Sequence, residues 1–479
     1  MRILHISMEC YPAAKAGGLG DVVGALPAYL NEAGFESAVI IPKYQTAWLE
    51  KQQFREVFRD SIRLHQEDIP FSIQQVVGNT LGFPLFTAAI PGKFDRAGVY
   101  NDTSGLVFED EIERVLCFQQ AVLKWVISLP EKPSLLHCHD HHTGLIPFMV
   151  KHCPEFNSLH LTPTVFTIHN GMYHGAFGWE KIHLLPPFDY DARGLLDWKN
   201  GINPLATAIK CCWGLTTVSP SYLEELRLHS NGLESLIINE RPKSIGILNG
   251  IDTAVWNPKT DPFIEHPLKR SIETFKEKNK KSLLQRFNIA PDVPIISFIG
   301  RLVNEKGADL IPEIVQRVRA NGIQAGFILL GTGDPRLHEI FQALQQQFGG
   351  YFDLSLEYNE RLAHQLYAGS DFLLMPSRVE PCGLNQLYAL RYGTVPIVRS
   401  VGGLKDTITD ISEPDEEGNG IRFDNFSADE AAFAIYRAAN LFQNKEALKT
   451  LRSRIMNVDF SWEKSALAYI KVYEALGLS

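Results

Sequence analysis

The chain has 479 residues and sets 46 Lys plus Arg against 55 Asp plus Glu, for a net charge of −9. With 45% hydrophobic and 21% charged residues, it is neither a disordered nor a collagen-like chain, and its acid excess argues against a nucleic-acid partner, which requires a basic field. Any anionic ligand must therefore be met by a few placed cations. No uncharged apolar run approaches the roughly 18 residues of a membrane span. The segment Met1–Pro12 is interrupted by Glu9 and lacks the long apolar region of a signal peptide, so the expectation is a cytoplasmic protein with no membrane partner. The seven cysteines (Cys10, Cys117, Cys138, Cys153, Cys211, Cys212 and Cys382) contain no CxxC pair and read as small buried hydrophobes. Cys10 and Cys382 fall inside motifs discussed below, which puts thiol reagents near the chemistry.

An apolar strand is expected at Arg2–Ser7, followed by a glycine-rich turn, a helix over Leu19–Asn31 and a strand at Ser37–Ile41. A helix over Asp110–Ile127 and strands at Leu135–Cys138, Thr164–Ile168 and Gly214–Val218 come next. Pro258–Lys281 is polar and contains proline, and reads as a surface connection at a domain junction. The alternation then resumes with strand Ile295–Ile299, helix Ala308–Ala320, strand Ala325–Leu330, helix Leu362–Gly369, strand Phe372–Met375, helix Leu384–Tyr392 and strand Val395–Val398. Strands apolar on both faces and separated by helices imply parallel sheets covered on both sides. The expected architecture is two Rossmann-like, doubly wound α/β domains facing each other, with ligands at the carboxyl ends of both sheets in the deep cleft between them.

Several motifs sit at those strand ends. Lys15-Ala16-Gly17-Gly18-Leu19-Gly20-Asp21 follows the first strand and opens the first helix. Its glycines would let backbone N–H groups approach a phosphate at a helix N-terminus, although such turns also occur for packing alone. It is neither GxGxxG nor a Walker loop. His137-Cys138-His139-Asp140-His141-His142 invites a zinc reading, but there is no HExxH and no distal cysteine partner; no metal is expected, and His139 and Asp140 read as polar cleft-lining groups. Thr167-Ile168-His169-Asn170-Gly171 ends another buried strand, where His169 could donate to a sugar hydroxyl with Asn170 orienting it, or serve only a structural role. Arg301 and Lys306, in Gly300–Gly307, place a planar fork and a compact charge where a diphosphate would suit them, the alternative being ion pairs with Glu305 or Asp309. Glu380-Pro381-Cys382-Gly383-Leu384-Asn385 sets a carboxylate before a helix N-terminus. Glu380 could bind sugar hydroxyls or face developing positive charge, or act only as a dipole partner.

Taken in order, these strings resemble bacterial glycogen synthase and plant starch synthase, a family of retaining glucosyltransferases with the two-domain GT-B fold. Further matching strings are Leu248-Asn249-Gly250-Ile251-Asp252, Gly331-Thr332-Gly333-Asp334, Pro376-Ser377-Arg378, Arg391-Tyr392-Gly393-Thr394 and Gly402-Gly403-Leu404, so the likeness runs over about residues 1 to 475. The resemblance implies transfer of glucose from a nucleotide sugar, usually ADP-glucose, to the non-reducing 4-OH of an α-1,4-glucan, with retention and with no metal or other cofactor. It implies that Arg301 and Lys306 neutralise the diphosphate, with Gly383 and Leu384 at the helix start beside it. Glu380 would lie near the transferred glucose, with His169 on its hydroxyls and Asp140 and Asn170 nearby. Lys15, Gly18 and Asp21 would contribute to the diphosphate and sugar pocket, Tyr358 would stack on adenine and Asn249 would line the donor pocket. The implied domains are residues 1–247 on the acceptor side, 248–458 for the nucleotide sugar, and a terminal helix in 459–479 crossing back onto the first domain.

The chain departs from the family at His141, often Trp, and at Phe94–Gly98, often Tyr-Asp-Arg-Pro-Gly; both positions are linked to the growing glucan. His174 and Val379 replace a common Gln and Phe. Readings left open are a UDP-glucose donor or different acceptor, and a non-catalytic glucan-binding relative; a phosphorylase would share the fold, but no pyridoxal-type lysine setting is evident.

Overall fold

The computed structural model describes residues 2–64, 67–96, 98–102, 106–413 and 417–477. Ala97, inside the Phe94–Gly98 departure, and Leu478, at the end of the terminal segment, lie outside the described residues. The chain forms two compact units, Met1–Leu248 with Trp462–Ser479, and Asn249–Ser461.

In the first unit the strands are β1 (Arg2–Ile6), β2 (Glu36–Pro42), β3 (Gln53–Leu64), β4 (Glu67–Val77), β5 (Leu85–Ala89), β6 (Leu135–His139), β7 (Thr164–Ile168), the short pair β8 (Asp197–Trp198) and β9 (Gly201–Ile202), β10 (Gly214–Thr217) and β11 (Ser244–Gly246). The main sheet runs β11-β10-β7-β6-β1-β2-β5-β4-β3. From β1 the chain proceeds to β2 on one side and later fills β6, β7 and β10 on the other, so the carboxyl ends of β1 and β6 flank a topological switch point. The register pairs Ile3 with Leu135, His5 with His137 and His139 with Thr167. The central strands β6, β7 and β10 are buried throughout, which is why they read as continuous apolar runs.

The sheet is not wholly parallel. Strands β3 and β4 form an antiparallel hairpin, and β4 also runs against β5. This edge is largely exposed and rich in charge, with Arg59 paired to Glu56 across 2.7 Å. Polar side chains on an edge hide the alternation that marks a strand and also blunt unwanted pairing.

The second unit holds β12 (Ile295–Ile299), β13 (Gly326–Leu330), β14 (Phe352–Ser355), β15 (Phe372–Met375), β16 (Val395–Arg399) and β17 (Ile421–Phe423), all parallel in the order β14-β13-β12-β15-β16-β17. Its switch point lies between β12 and β15. The connection expected over Pro258–Lys281 is instead part of this unit's body. Its second half enters helix Ile272–Arg286, capped by the Ser271 hydroxyl, and Phe275, Lys276 and Asn279 are buried. The buried Lys276 ammonium donates to the Tyr367 and Tyr392 carbonyls and to the Thr394 hydroxyl at 3.1, 3.3 and 2.6 Å. Those partners lie about 90 to 120 residues away, so the polar composition of this helix gave no sign of its burial.

Helix Trp462–Ala475 returns to the first unit. Trp462, Ala466, Tyr469 and Tyr473 pack with Ile3, Val22, Leu26, Leu135 and Val165 in one apolar cluster.

One ion network pins the second unit. Asp371, at the start of β15, accepts from Lys280 and Arg452 at 2.7 Å each and from the Ile295 amide at 2.9 Å. Burial opposes its ionisation, but the two cations outweigh that and hold the carboxyl below its ordinary range. Because the folded value lies below the unfolded one, about 3.9, the stabilisation is full above that pH and disappears as acid takes the pH through the folded value. Asp371→Asn is expected to cost about 3 kcal/mol at neutral pH and to flatten the acid limb of unfolding, both measurable by urea titration at pH 7 and pH 4.

Candidate active site

In the first unit the glycine-rich turn is organised around a residue the motif did not reveal. Glu9 Oε2 accepts from the Ala16 and Gly17 amides at 2.5 and 2.8 Å, and Tyr100 donates to Glu9 Oε1 at 2.7 Å. The amides expected to face a phosphate are thus closed by a carboxylate of the same chain, which places an anion where the backbone presents donors. A β-carbon added at Gly24 would stand 2.5 Å from the Tyr11 carbonyl oxygen, so packing accounts for that glycine. Nothing lies within 4 Å of the corresponding positions at Gly17 and Gly18, so packing does not account for them. Lys15 and Asp21 form an ion pair at 2.7 Å beside this open face.

Asp140 follows β6 with φ +56° and ψ 171°, a conformation rarely adopted outside glycine. Its Oδ1 accepts from the His169 and Asn170 amides at 2.7 and 3.3 Å, so the strained turn ties the end of β6 to that of β7. Burial pushes the Asp140 carboxyl up to about 7, with those two amides opposing the rise. The Asn170 side chain accepts from the Met172 amide. His139 lies between His5 and His169, bonded to them at 3.1 and 3.0 Å. Beside this row, His137 meets Tyr473 at 2.9 Å and Thr167 at 2.6 Å.

Three of these rings, His5, His137 and His139, bring nitrogen atoms within 4.8 Å of one another. The grouping does not suit an ion. Of their six ring nitrogens only His5 Nε2 is not committed to a bond with a neighbouring ring or hydroxyl, and metal binding would have to break that pairing.

In the second unit Lys306 Nζ donates to both oxygens of Glu380, at 2.6 and 2.7 Å, and the Ser377 hydroxyl donates to Oε2 at 3.0 Å. Glu380 is 4% exposed. Lys306 follows β12 and Glu380 follows β15, so the pair spans the switch point. Gly307, at φ +68°, has the Pro376 carbonyl oxygen 2.0 Å from where a β-carbon would sit, which locks the turn carrying Lys306 against the end of β15. The Asn385 amide donates to the Ile299 carbonyl at 2.6 Å, and Gly383, at φ +73°, leads through Leu384 into helix Asn385–Arg391.

Of the ion pairs weighed for the two cations, Arg301 meets Glu305 at 3.6 Å with its side chain 58% exposed, whereas Asp309 is taken by Arg378. Asn249 is buried, and its Oδ1 is without a partner. Tyr358 is 76% exposed. Cys10 and Cys382 are buried, and burial pushes the Cys382 thiol up to about 12, so neither offers a reactive thiolate.

Phe94 is enclosed between Tyr44 and Phe118. His141 packs at a tilt against His142 with ring centroids 3.7 Å apart, and His174 bonds to the Ser230 carbonyl and to Asn203. These three departures are packed or bonded side chains of the first unit, and the fourth, Val379, lies in the second.

Residues 2–239 match the starch synthase catalytic domain family, and residues 279–451 match the glycosyl transferases group 1 family. A glycogen synthase of Flavobacterium johnsoniae is 45% identical over 99% of both chains, and one of Anoxybacillus flavithermus is 36% identical over 99% of this chain and 98% of its own. The chain belongs to the glycogen and starch synthase family. It is a glucosyltransferase, and its paired parallel α/β units are those of the GT-B fold. The catalytic domain of starch synthase IV from Arabidopsis thaliana, solved bound to ADP and acarbose, superposes with a TM-score of 0.89 at 30% identity, covering 99% of each chain. Among the described residues no helix is long and apolar enough to cross a membrane.

Two outcomes follow from the geometry. The histidines of the row are held neutral by burial, with His169 pushed down to about 3, so they do not titrate near neutrality. Turnover is expected to fall as pH drops from 8 to 6 with an apparent pKa near that of Asp140, and Asp140→Asn to flatten this limb in a pH–rate profile. Lys306→Ala leaves the Glu380 carboxylate buried without its cation. It is expected to cost about 2 kcal/mol of second-unit stability, less than a fully buried pair because Lys306 keeps partial exposure, and Lys306→Ala with Glu380→Gln to recover most of that in thermal unfolding.

Proposed function

We propose that the enzyme transfers glucose from ADP-glucose to the non-reducing 4-OH of an α-1,4-glucan, with retention of configuration and release of ADP. The observation that carries this reading is the Lys306–Glu380 pair on Ser377 at the switch point of the second unit, in a chain whose whole length aligns with glycogen synthases. Its partners are then a nucleotide sugar and glycogen, and its compartment is the cytoplasm.

In the reaction the bond between C1 of glucose and the β-phosphate oxygen breaks while C1 bonds to O4 of the acceptor on the same face. The 4-OH proton passes to an oxygen of the departing diphosphate. Negative charge grows on that diphosphate, and positive charge grows on the sugar ring. Arg301 and Lys306 take the first, the Glu380 carboxylate the second, and charges placed in this way stabilise the separation as it develops. Lys306 touches both parts of the problem. In the resting enzyme it neutralises Glu380, and when diphosphate arrives it shares its charge with that anion, leaving Glu380 more negative beside the forming oxocarbenium. Two fixed cations do the work a divalent ion does elsewhere, so no metal enters the reaction. Gly383 and Leu384 open the helix that faces the phosphate, Asn249 and Tyr358 serve the nucleotide, and Lys15, Gly18 and Asp21 serve the diphosphate and sugar. His169, with Asp140 and Asn170 shaping its turn, binds sugar hydroxyls.

The test is elongation of glycogen by purified protein given ADP-glucose or UDP-glucose in the presence of a chelator. ADP release with chain growth is expected from ADP-glucose. Glu380→Gln and Arg301→Ala are each expected to lower kcat by roughly two to three orders of magnitude with an unchanged melting profile. Growth from UDP-glucose alone would overturn the donor assignment, and full activity of Glu380→Gln would overturn the site.

A further inference from the structure

His5 Nδ1 lies 3.1 Å from His139 Nε2, and His139 Nδ1 lies 3.0 Å from His169 Nε2. His5 and His139 are completely buried, and His169 is 8% exposed at the end of the row. Burial pushes all three below the ordinary histidine range, so each ring is neutral and carries a single N–H. Every N···N contact then needs one donor and one acceptor. The middle ring can neither donate twice nor accept twice, so the row has two settings only. In one, hydrogens point from His5 to His139 to His169, and His169 carries its own hydrogen on Nδ1. In the other every hydrogen is reversed, His169 Nδ1 is a bare lone pair, and the last hydrogen sits on His5 Nε2.

The far end decides between them. His5 Nε2 is buried without a partner. A bare lone pair there is tolerated better than an N–H, because orphaned buried donors are the rarer and costlier defect. The neighbouring ring does not change the choice. His137 stacks on His139 at 4.3 Å and lies tilted against His5 at 4.8 Å, but its own nitrogens are spent on Tyr473 and Thr167. The Asp140 carboxylate meets His169 through the backbone amide rather than the ring.

We propose that His5 and His139 are positioning residues that hold His169 as its Nδ1–H tautomer, making it a fixed hydrogen-bond donor to a hydroxyl of the transferred sugar. This deepens the reading of His169 given above and rests on it. A fixed tautomer means the donor is set before substrate arrives, with no hydrogen to be turned at the moment of binding.

Histidine nitrogen NMR on the full-length, 15N-histidine-labelled protein tests this without substrate, with the His169 signals identified by their loss in His169→Ala. The expected result is a hydrogen on Nδ1 of His169. Two variants at His5 extend the test to turnover. His5→Phe removes the donor at the head of the row, and His5→Asn keeps an amide N–H where Nδ1 stood. His5→Phe is expected to give mixed tautomers at His169 and to lower kcat about tenfold with little change in the donor KM; His5→Asn is expected to restore both the tautomer and most of that loss. A hydrogen on Nε2 of His169 in the unmodified protein overturns the proposal, as does equal behaviour of the Asn and Phe variants. Should His5→Phe fail to fold, the tautomer of the unmodified protein decides alone. Failure of wild-type elongation from ADP-glucose would instead count against the proposed function and leave the tautomer result standing.

Discussion

A carboxylate taken out of water has to be given donors, and this constraint shapes both units. Glu380 receives Lys306 and Ser377, Glu9 receives two backbone amides and Tyr100, and Asp371 receives Lys280, Arg452 and an amide. In each case the acid follows or opens a central strand, and at least one donor comes from a segment distant in sequence: Lys306 for Glu380, Tyr100 for Glu9, and Lys280, Arg452 and the Ile295 amide for Asp371. The pairing therefore fixes how loops at the strand ends are held. Leaving any of these acids unpaired costs more than the pair itself contributes, so the loops are held by a penalty for moving rather than by many contacts.

On the proposed function, the Glu380 arrangement also explains how a site for charge separation would rest without substrate. A lone buried carboxylate awaiting an oxocarbenium would be costly, and a lone cation awaiting a diphosphate would attract any anion. Joining the two neutralises both, and under the proposed function an incoming diphosphate would compete for the same ammonium. Arg301, exposed and only loosely met by Glu305 at 3.6 Å, has no comparable resting partner among the described residues.

Much of this was legible in the sequence, for definite reasons. Strands such as Thr164–Ile168 and Phe372–Met375 are buried on both faces, so they stand out as apolar runs, and the glycines and charges after them mark the turns. What escaped notice lacks such a mark. The hairpin of β3 and β4 is exposed and charged, and helix Ile272–Arg286 is so polar that it reads as a linker even though Lys276 is buried. Glu9 escaped because its partners are backbone amides, which no residue pattern announces. His5 had a faint signal, as a histidine inside an apolar strand, but its significance depends on strand order: only when β1 lies beside β6, and β6 beside β7, do His5, His139 and His169 fall into a row.

Strand order alone does not finish that row. His137, stacked against it, is oriented by Tyr473, which comes from the last helix of the chain and lies 336 residues further along. The same helix supplies Trp462, Ala466 and Tyr469 to the cluster over Ile3, Leu26, Leu135 and Val165. The first unit therefore lacks part of its core, and the hydroxyl that orients His137, until the whole of the second unit has been synthesised. A chain ending before Trp462 would expose those apolar side chains and leave the His137 Nδ1 without its partner. The packing of the first unit is in this way made conditional on completion of the second, through apolar burial and one hydrogen bond.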